Sequence, residues 1–459
     1  SSYLVFVIDN TTGCSSTDFV TVNVVPAPAS GVQVANHVKG SVDSVQGTTS
    51  TVLSPIVGKK DFQFWSVGQM GNETGLGAVD MLAGAYLFDG VDKDAGEAFI
   101  FPTDSNGNIL SAIQTSTSLL NDGVLKKDYY GFSVAGIGDV NNDGHEDIAV
   151  GSWKDEVVGG TKDIGSVRVL LMDGNGGVLN DVTIIENVNG FNPDIAMNKK
   201  DQFAVVSGIG DLNLDGVPDI AVGAAFDDET DRDAGAVYVL FLTNTGTVSG
   251  HTKIVAGDVG GIKKDLFGWS VISAGDIDGD GVQDLVAGAT LDDADDRDVG
   301  AIYVLFMNTD GTLKGSQKIS SGVGGLPSGT VIKKDAFGRS LAALGDVNDD
   351  GTPDIMVGAT GDDGAVKDVG AVYILYLKAD GTVSFFDKIS QDDGNFTGVI
   401  EKKDFFGNGS TSLGDLNGDC IPEILVGAPL DDEDLALSRP RKDAGAGWIM
   451  WLEGKSPEG

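Results

Sequence analysis

The chain has 459 residues, enough for one large domain or about three ordinary ones. Its 69 acidic residues outnumber 30 basic ones and give a formal charge of −39, which excludes nucleic acid and anionic lipid as partners because such a surface repels both. No apolar run approaches the roughly 18 residues that a direct membrane span needs. The 67 glycines between short Val/Ile/Leu/Tyr/Phe stretches predict an all-β fold.

The first predicted elements are two alternating strands around the turn TTGCSS, followed by the linker PAPAS. This stretch resembles the last hairpin of an immunoglobulin-like domain of the PKD type, and residues 1–27 are assigned to such a fragment. The chain starts at Ser1 without a Met or a signal peptide, so we expect a processed or truncated product of something longer.

Six repeats follow. The tripeptide KKD recurs with its Asp at positions 61, 128, 201, 265, 335 and 404. Each copy opens the same series of four predicted strands, with an Asp-rich loop after the first strand and an acidic stretch after the second. A four-stranded sheet of this size cannot bury both faces alone, and radial stacking buries them in a β-propeller. A solenoid is the alternative, although solenoid repeats of this length are usually helical. We therefore predict a propeller over residues 59–459.

The sixth repeat lacks a counterpart of the fourth strand after AGWIMWLEGKSPEG. Residues 28–58 contain the alternating pattern GVQVANHVKGSV, which predicts a strand. An open ring would expose a sheet edge, so we expect this segment to lie beside residues 445–453 and to close the propeller.

Five Asp-rich loops carry the candidate chemistry, and they cover residues 139–147, 211–219, 276–284, 346–354 and 415–423. Counted from the first Asp, side-chain oxygens fall at positions 1, 3, 5 and 9, and Gly occupies position 6 in four of the five loops. The predicted side-chain ligands are Asp139, Asn141, Asp143, Asp147, Asp211, Asn213, Asp215, Asp219, Asp276, Asp278, Asp280, Asp284, Asp346, Asn348, Asp350, Asp354, Asp415, Asn417, Asp419 and Glu423. The carbonyl of position 7 is the fifth predicted ligand of each loop, from His145, Val217, Val282, Thr352 and Ile421.

Oxygen ligands exclude zinc and copper, which prefer nitrogen and sulfur. Mg²⁺ demands stricter octahedral geometry, so Ca²⁺ is the better prediction, with up to five ions. An EF-hand needs a Glu at position 12 and flanking helices, whereas position 12 here is Val or Ala inside a predicted strand.

This pattern, with the preceding FG and the following VGA, resembles the FG-GAP repeats of integrin α-chain β-propellers. The segments FGWSVISAGDIDGDGVQDLVAGA and FGNGSTSLGDLNGDCIPEILVGAP carry the resemblance most clearly. It implies calcium-binding hairpins between the first two strands of each blade. Seven blades are the family norm, whereas six repeats are counted here. The first repeat keeps Asp80 but has Asn72, Thr74 and Leu76 at positions 1, 3 and 5, which predicts a metal-free loop.

An enzyme is not predicted, because no nucleophile elbow, zinc-protease or P-loop motif occurs. The alternative is a carbohydrate-processing enzyme that uses the acidic pairs at 227–228, 292–293, 362–363 and 431–432 as glycosidase carboxylates. One aromatic residue per repeat is expected to pack between blades, namely Phe62, Tyr130, Phe203, Phe267, Phe337 and Phe405.

The predicted function is an extracellular or cell-surface module for adhesion, ligand binding or structural assembly. Its predicted partners are a protein or glycan ligand, or copies of itself. Four glycosylation sequons, at Asn10, Asn72, Asn395 and Asn408, favour a secreted glycoprotein weakly.

Overall fold

The structure is a computed structural model that describes residues 32–40, 64–89, 92–116, 127–155, 163–193, 197–293, 296–363, 367–391, 393–396, 399–431 and 445–454. The first strands in chain order are β1 (Val32–Gly40), β2 (Ser66–Met70), β3 (Val79–Ala85), β4 (Glu97–Thr103), β5 (Ile113–Gln114), β6 (Tyr130–Gly138), β7 (Asp147–Ser152) and β8 (Ser166–Met172). They are followed by β9 (Val178–Ile184), β10 (Phe203–Gly210), β11 (Asp219–Ala224), β12 (Ala236–Leu242), β13 (Val248–Val255), β14 (Phe267–Gly275), β15 (Asp284–Ala289) and β16 (Ala301–Met307). The remaining strands are β17 (Leu313–Ile319), β18 (Phe337–Gly345), β19 (Asp354–Ala359), β20 (Ala371–Leu377), β21 (Val383–Ile389), β22 (Gly409–Gly414), β23 (Glu423–Ala428) and β24 (Ala446–Gly454).

These strands form six four-stranded antiparallel sheets in the described part of the chain, and each sheet is one blade of a β-propeller. Blades 1 to 5 are consecutive runs, from β2–β5 in blade 1 to β18–β21 in blade 5. Blade 6 contains β22, β23 and β24 and takes β1 as its fourth strand. The all-β prediction and the propeller are therefore confirmed, with six blades.

The second strand of each blade is buried throughout, because neighbouring blades cover both of its faces, and apart from one acid near its start it is largely apolar. In blade 4, every residue of β15 is buried, and β16 is buried at all but one position. The outer strand β17 instead alternates between half-buried and exposed residues along most of its length. A short, continuous apolar run is the pattern expected of a strand buried on both sides.

Six hydrophobic clusters fill the six interfaces between adjacent blades, including the interface between blades 6 and 1. Four members of the predicted aromatic set lie in these clusters and are fully buried, namely Tyr130, Phe203, Phe267 and Phe337. In the sixth repeat the prediction is off by one residue, because Phe405 is half-buried while Phe406 is fully buried. Phe406 also forms the bridge to Gly370 that Phe267 and Phe337 form to the blades before them. Phe62 lies outside the described residues.

The ring closes through β1, which pairs antiparallel with β24. Val32 lies opposite Gly454, and Gly40 lies opposite Gly447. The innermost strand β2 packs against β22, so blades 1 and 6 are direct neighbours. Residues 1–27 lie outside the described residues, and the domain limits 1–27, 28–58 and 59–459 stay a prediction.

Candidate metal-binding loops

The five Asp-rich loops connect the first and second strands of blades 2 to 6. Every blade runs in the same direction around the ring, so these hairpins lie together at one end of the propeller. The loops between second and third strands lie at the opposite end, together with the KKD turns. We call these two ends the loop face and the opposite face.

The acid at position 9 anchors each loop, and none of these five side chains is exposed. In blade 4 the two oxygens of Asp284 accept the N–H groups of Ile277 and Met307, at 2.9 and 3.0 Å. Asp147, Asp219 and Asp354 make the equivalent pairs of bonds. In blades 2 to 5, position 9 therefore fastens the loop to the end of the third strand, whereas the bonds of Glu423 in blade 6 are to Leu416 and Asn417 of its own loop.

Burial raises the pKa of these anchoring acids, and it outweighs the opposing effect of the backbone hydrogen bonds. The pKa of Asp147 and Asp284 rises to about 6, and that of Asp219 and Asp354 to about 7, from 3.8. The neighbouring acids at positions 1, 3 and 5 contribute in the same direction. A cation bound close by would favour the ionised form of these acids and so oppose the effect of burial.

Positions 1, 3 and 5 are held by the backbone of their own loop. In blade 2, Asp139 accepts the N–H groups of Asp143 and Gly144, at 3.0 and 2.8 Å. Asn141 accepts the N–H of Asp143, and Asp143 accepts that of His145. The same bonds recur in the other four loops, with Cys420 in place of Gly at position 6.

The backbone N–H group of the residue at position 7 donates a hydrogen bond to the acid at position 5 in every one of the five loops. The residues are His145, Val217, Val282, Thr352 and Ile421. Their carbonyls as metal ligands stay a prediction.

Position 6 has a positive φ in every loop. The value is 92° at Gly144 and between 89° and 91° at Gly216, Gly281 and Gly351. Cys420 adopts 67°, a left-handed conformation that is unfavourable for a residue with a Cβ. The loop at 415–423 thus keeps its turn at a cost in backbone strain. Cys420 is exposed, whereas Cys14 lies outside the described residues.

The loop at 276–284 brings three carboxylates together. Asp276, Asp278 and Asp284 each place an oxygen within 4.8 Å of the other two. The other four loops have Asn at position 3, so one of these three groups is a neutral amide there.

Lys314 in β17 also reaches this loop, and no sequence pattern predicted this contact. Its Nζ lies 2.6 Å from an oxygen of Asp278 and 2.6 Å from one of Asp280. The equivalent residues of β9, β13 and β21 are Leu179, Ser249 and Ser384, which carry no charge. Blade 4 therefore places a positively charged side chain against the most acidic of the five loops.

The loop of blade 1 is closed without acids at positions 1, 3 and 5. Thr74 donates its N–H and its hydroxyl to the two oxygens of Asp80, at 2.7 and 2.8 Å. Asn72 bonds the backbone of Gly77, and the side chain of Leu76 is exposed. This loop has no set of converging carboxylates.

The acidic pairs on the opposite face are bound internally. The first acid of each described pair receives a lysine from the fourth strand of its blade, in Asp227–Lys253, Asp292–Lys318 and Asp362–Lys388, at 2.6 to 2.7 Å. The second acid accepts a backbone N–H five residues later, from Asp233, Asp298 and Asp368. Asp432 lies outside the described residues. The three described pairs are therefore structural elements that recur from blade to blade.

Comparison with known families identifies FG-GAP repeats at residues 203–240, 267–305, 337–375 and 407–450. Integrin alpha-3 of Cricetulus griseus is 32% identical over 161 residues, which are 35% of this chain and 14% of that protein. Integrin alpha-7 of Mus musculus is 30% identical over 204 residues, which are 43% of this chain and 15% of that protein. Integrin alpha-PS5 of Drosophila melanogaster is 34% identical over 170 residues, again 15% of that protein.

The matches thus span about one seventh of the length of these relatives. Among solved structures, BBS1N in complex with ARL6DN, soaked with lead, aligns over 92% of this chain with a TM-score of 0.39 and 8% identity. Within the described residues, no helix has the length and apolar character that crossing a membrane requires.

Proposed function

Because this chain is an FG-GAP propeller of the integrin α type, we propose that it is an extracellular, calcium-stabilised module for adhesion, ligand binding or structural assembly at a surface. The observation that best supports calcium binding is the shared geometry of the five loops. Each loop holds its oxygen-bearing side chains through its own backbone N–H groups, so the acids are fixed in place before any ion arrives.

The donor set fits Ca²⁺. Each loop offers carboxylate and amide oxygens and no nitrogen or sulfur ligand at positions 1, 3, 5 and 9. Hard cations take six to eight such oxygens at flexible geometry. The three clustered carboxylates of Asp276, Asp278 and Asp284 are the strongest single support. Up to five ions would bind, one at each loop from 139–147 to 415–423.

A glycosidase is not favoured by the acidic pairs. Two catalytic carboxylates would have to face a common substrate across a cleft. In each described pair, one acid instead forms a salt bridge with a lysine, and the other accepts a hydrogen bond from a backbone N–H. We therefore propose a non-enzymatic module whose partner is a protein or a glycan, or a second copy of the chain.

Two of the predicted glycosylation sites fit an extracellular setting, because Asn72 and Asn395 are exposed. Asn408 does not, since its side chain is 7% exposed and bonds both Trp65 and Arg339. A glycan would be attached to the Nδ2 atom of Asn408, which donates to the Trp65 carbonyl.

Equilibrium dialysis with Ca²⁺ tests the metal sites directly. We expect up to five ions per chain with dissociation constants on the order of 10⁻⁴ to 10⁻³ M. Asp346→Asn should lower the stoichiometry by one. Asp380→Asn removes an acid from a hairpin turn of the same blade and is the matched control, which should bind as many ions as the parent. No binding at millimolar Ca²⁺ would contradict the proposal.

Attachment of beads coated with the chain to immobilised matrix proteins and glycans tests the adhesive role. Attachment that disappears with chelator and returns with Ca²⁺ supports it. Beads that bind neither panel nor one another, although the protein is folded and loaded with Ca²⁺, contradict it.

A further inference from the structure

The inner strands of the six blades surround a central channel of about 300 Å³. At its end on the opposite face, each blade contributes one residue to a ring. The ring consists of Trp65, Phe132, Val205, Trp269, Arg339 and Asn408. Apart from the two tryptophans, these residues differ in type from blade to blade, unlike the loops at the other end.

Arg339 lies across the centre of this ring. Its guanidinium carbon is 4.4 Å from the ring centre of Trp269 and 5.2 Å from that of Trp65. Its Nε donates to Asn408 at 3.0 Å, and Asn408 in turn donates to the carbonyl of Trp65 at 2.6 Å. The side chain is thus fixed by two indoles and one amide.

No acid compensates this charge within the described residues, where Arg339 makes no salt bridge. Burial lowers its pKa to about 10, and the Tyr86 hydroxyl opposes this effect slightly. A desolvated arginine is ordinarily paired with a carboxylate. Although the chain has 69 acidic residues, none of those that the structure describes forms a salt bridge with Arg339, which is half-buried.

Aromatic rings form a bowl around the arginine. Trp153 packs on Phe132 at 3.9 Å and on Trp269 at 5.5 Å between ring centres. Tyr86 packs on Trp65 at 4.7 Å, and Phe226 lies 6.1 Å from Trp269. Apart from Trp153 and Phe132, these rings are only half-buried.

A cavity of about 410 Å³ adjoins Trp269 and Arg339. This is within the size range of small-ligand sites, roughly 300 to 1,000 Å³. Lys264 at its edge adds a second positive charge, and the acid at the same edge, Asp233, already bonds Arg232 at 3.3 Å. The local charge therefore favours an anion.

We propose that this bowl binds a carboxylate group, presented by an acidic peptide segment with an aromatic neighbour. The carboxylate would pair with the free end of the Arg339 guanidinium, whose planar fork matches two carboxylate oxygens. The neighbouring ring would pack against Trp269 and the other aromatic residues. An acidic sugar is less suited, because its hydroxyls need polar partners and both side-chain polar atoms of Asn408 are already bonded.

The inference rests on the proposed ligand-binding role but not on calcium, which is assigned to the loop face. Its test is therefore made on calcium-saturated protein whose melting transition is checked beforehand. Loss of the calcium response would count against the proposed function, whereas loss of carboxylate binding alone would count against this site.

Tryptophan fluorescence and calorimetry with the peptide acetyl-Phe-Asp-Phe-amide provide the measurement. The Asp peptide should bind about tenfold or more tightly than the Asn version, because a charge-assisted bidentate bond is roughly twice as strong as a neutral one. Arg339→Gln should remove this preference. Arg297→Gln makes the same charge change at an exposed site on the same face and should keep it.

Equal binding of the Asp and Asn peptides to the parent chain overturns the proposal, and this comparison holds even where Arg339→Gln does not fold. An unchanged Asp preference in folded Arg339→Gln also overturns it. Glucuronate that binds as tightly as the Asp peptide, while glucose does not, overturns the assignment to a peptide.

Discussion

The loops at 72–80 and 276–284 join the same two strands of their blades, yet they close in different ways. In the first, Thr74 satisfies both oxygens of the buried Asp80. In the second, three carboxylates lie within 4.8 Å of one another and a lysine reaches in from β17. The hairpin can therefore form without acids at positions 1, 3 and 5. The turn itself therefore does not explain the acids of the other five loops, whereas the proposed cation would explain them.

Removal of bound cations by a chelator is expected to have the largest effect on stability, because it acts on the five acidic loops and not on the loop of blade 1. The five loops hold 16 acidic side chains at the predicted ligand positions. A site at 100 times its dissociation constant stabilises the fold by roughly 2.7 kcal/mol. Several sites together would rival the whole stability of a domain, about 5–15 kcal/mol.

Calorimetric melting in chelator, Ca²⁺ and Mg²⁺ checks this expectation. The midpoint should fall steeply in chelator, recover fully with Ca²⁺ and recover only in part with Mg²⁺. A midpoint that is the same in all three solutions would mean that the loops are acidic turns without a metal.

The pH dependence of the chelated chain is the second prediction. Asp201 and Asp335, outside the loops, have pKa values raised to about 7 by burial, as Asp219 and Asp354 do. Between about pH 4 and pH 7 the folded chain keeps protons that the unfolded chain has released, so the free energy of unfolding falls as pH rises.

Melting in chelator should therefore give a higher midpoint at about pH 5 than at about pH 8. Saturating Ca²⁺ should reduce or reverse the difference, because the ion favours the ionised loop acids. Stability of the chelated chain that increases steadily over this range would contradict the prediction.

Substitutions in the two loops are expected to distinguish an acid that only stabilises the fold, Asp80, from an acid that binds the metal, Asp276. Thr74→Val removes the hydroxyl donor of Asp80 and should cost about 1–3 kcal/mol, with and without Ca²⁺, because a buried acceptor is left unsatisfied. Asp276→Asn should destabilise the chain only when Ca²⁺ is present. Denaturant unfolding of both variants in the two solutions makes the comparison. Equal calcium dependence of the two variants would contradict it.

Lys314→Ser gives the smallest expected effect. Lys314 is half exposed and holds Asp278 and Asp280, so it competes with a metal for the same oxygens. Its removal should tighten Ca²⁺ binding at 276–284 by about two- to fivefold, the range of an exposed ion pair. Calorimetric titration measures this, with Asp276→Asn identifying the site and Lys378→Ser of the next blade as the control. Weaker binding would mean that Lys314 positions the loop instead.

Much of this fold could be predicted because each blade repeats the same strand pattern. The period in KKD and the apolar second strands located the blades, and the missing fourth strand of the sixth repeat pointed to the segment that contains β1. The alignment of the sixth repeat with the others was less predictable, because two aromatic residues stand side by side there. Phe405 and Phe406 are adjacent in the sequence, and only their burial and the bridge to Gly370 in the structure distinguish them.

The site was predictable in its residue types but not in its surroundings. The regular spacing of Asp and Asn identified the loops, and the structure adds the N–H groups that hold them. Lys314 could not be predicted, since it lies in another strand and its counterparts in the other blades are uncharged. The position of Arg339 in the central ring could not be predicted either, because almost every blade contributes a different type of residue to that ring.

The pairing of β1 with β24 also determines how the propeller responds to tension. The two strands are antiparallel, so Val32 and Gly454 face each other with Cα atoms about 4.5–5.5 Å apart. A chain that enters at Val32 and leaves at Gly454 does both at one corner of blade 6. Force applied between these residues peels the hydrogen bonds apart one pair at a time, whereas a shearing pull would load all of them together. We therefore expect β1 to separate from β24, and blade 6 to open, at a lower force than the other blades.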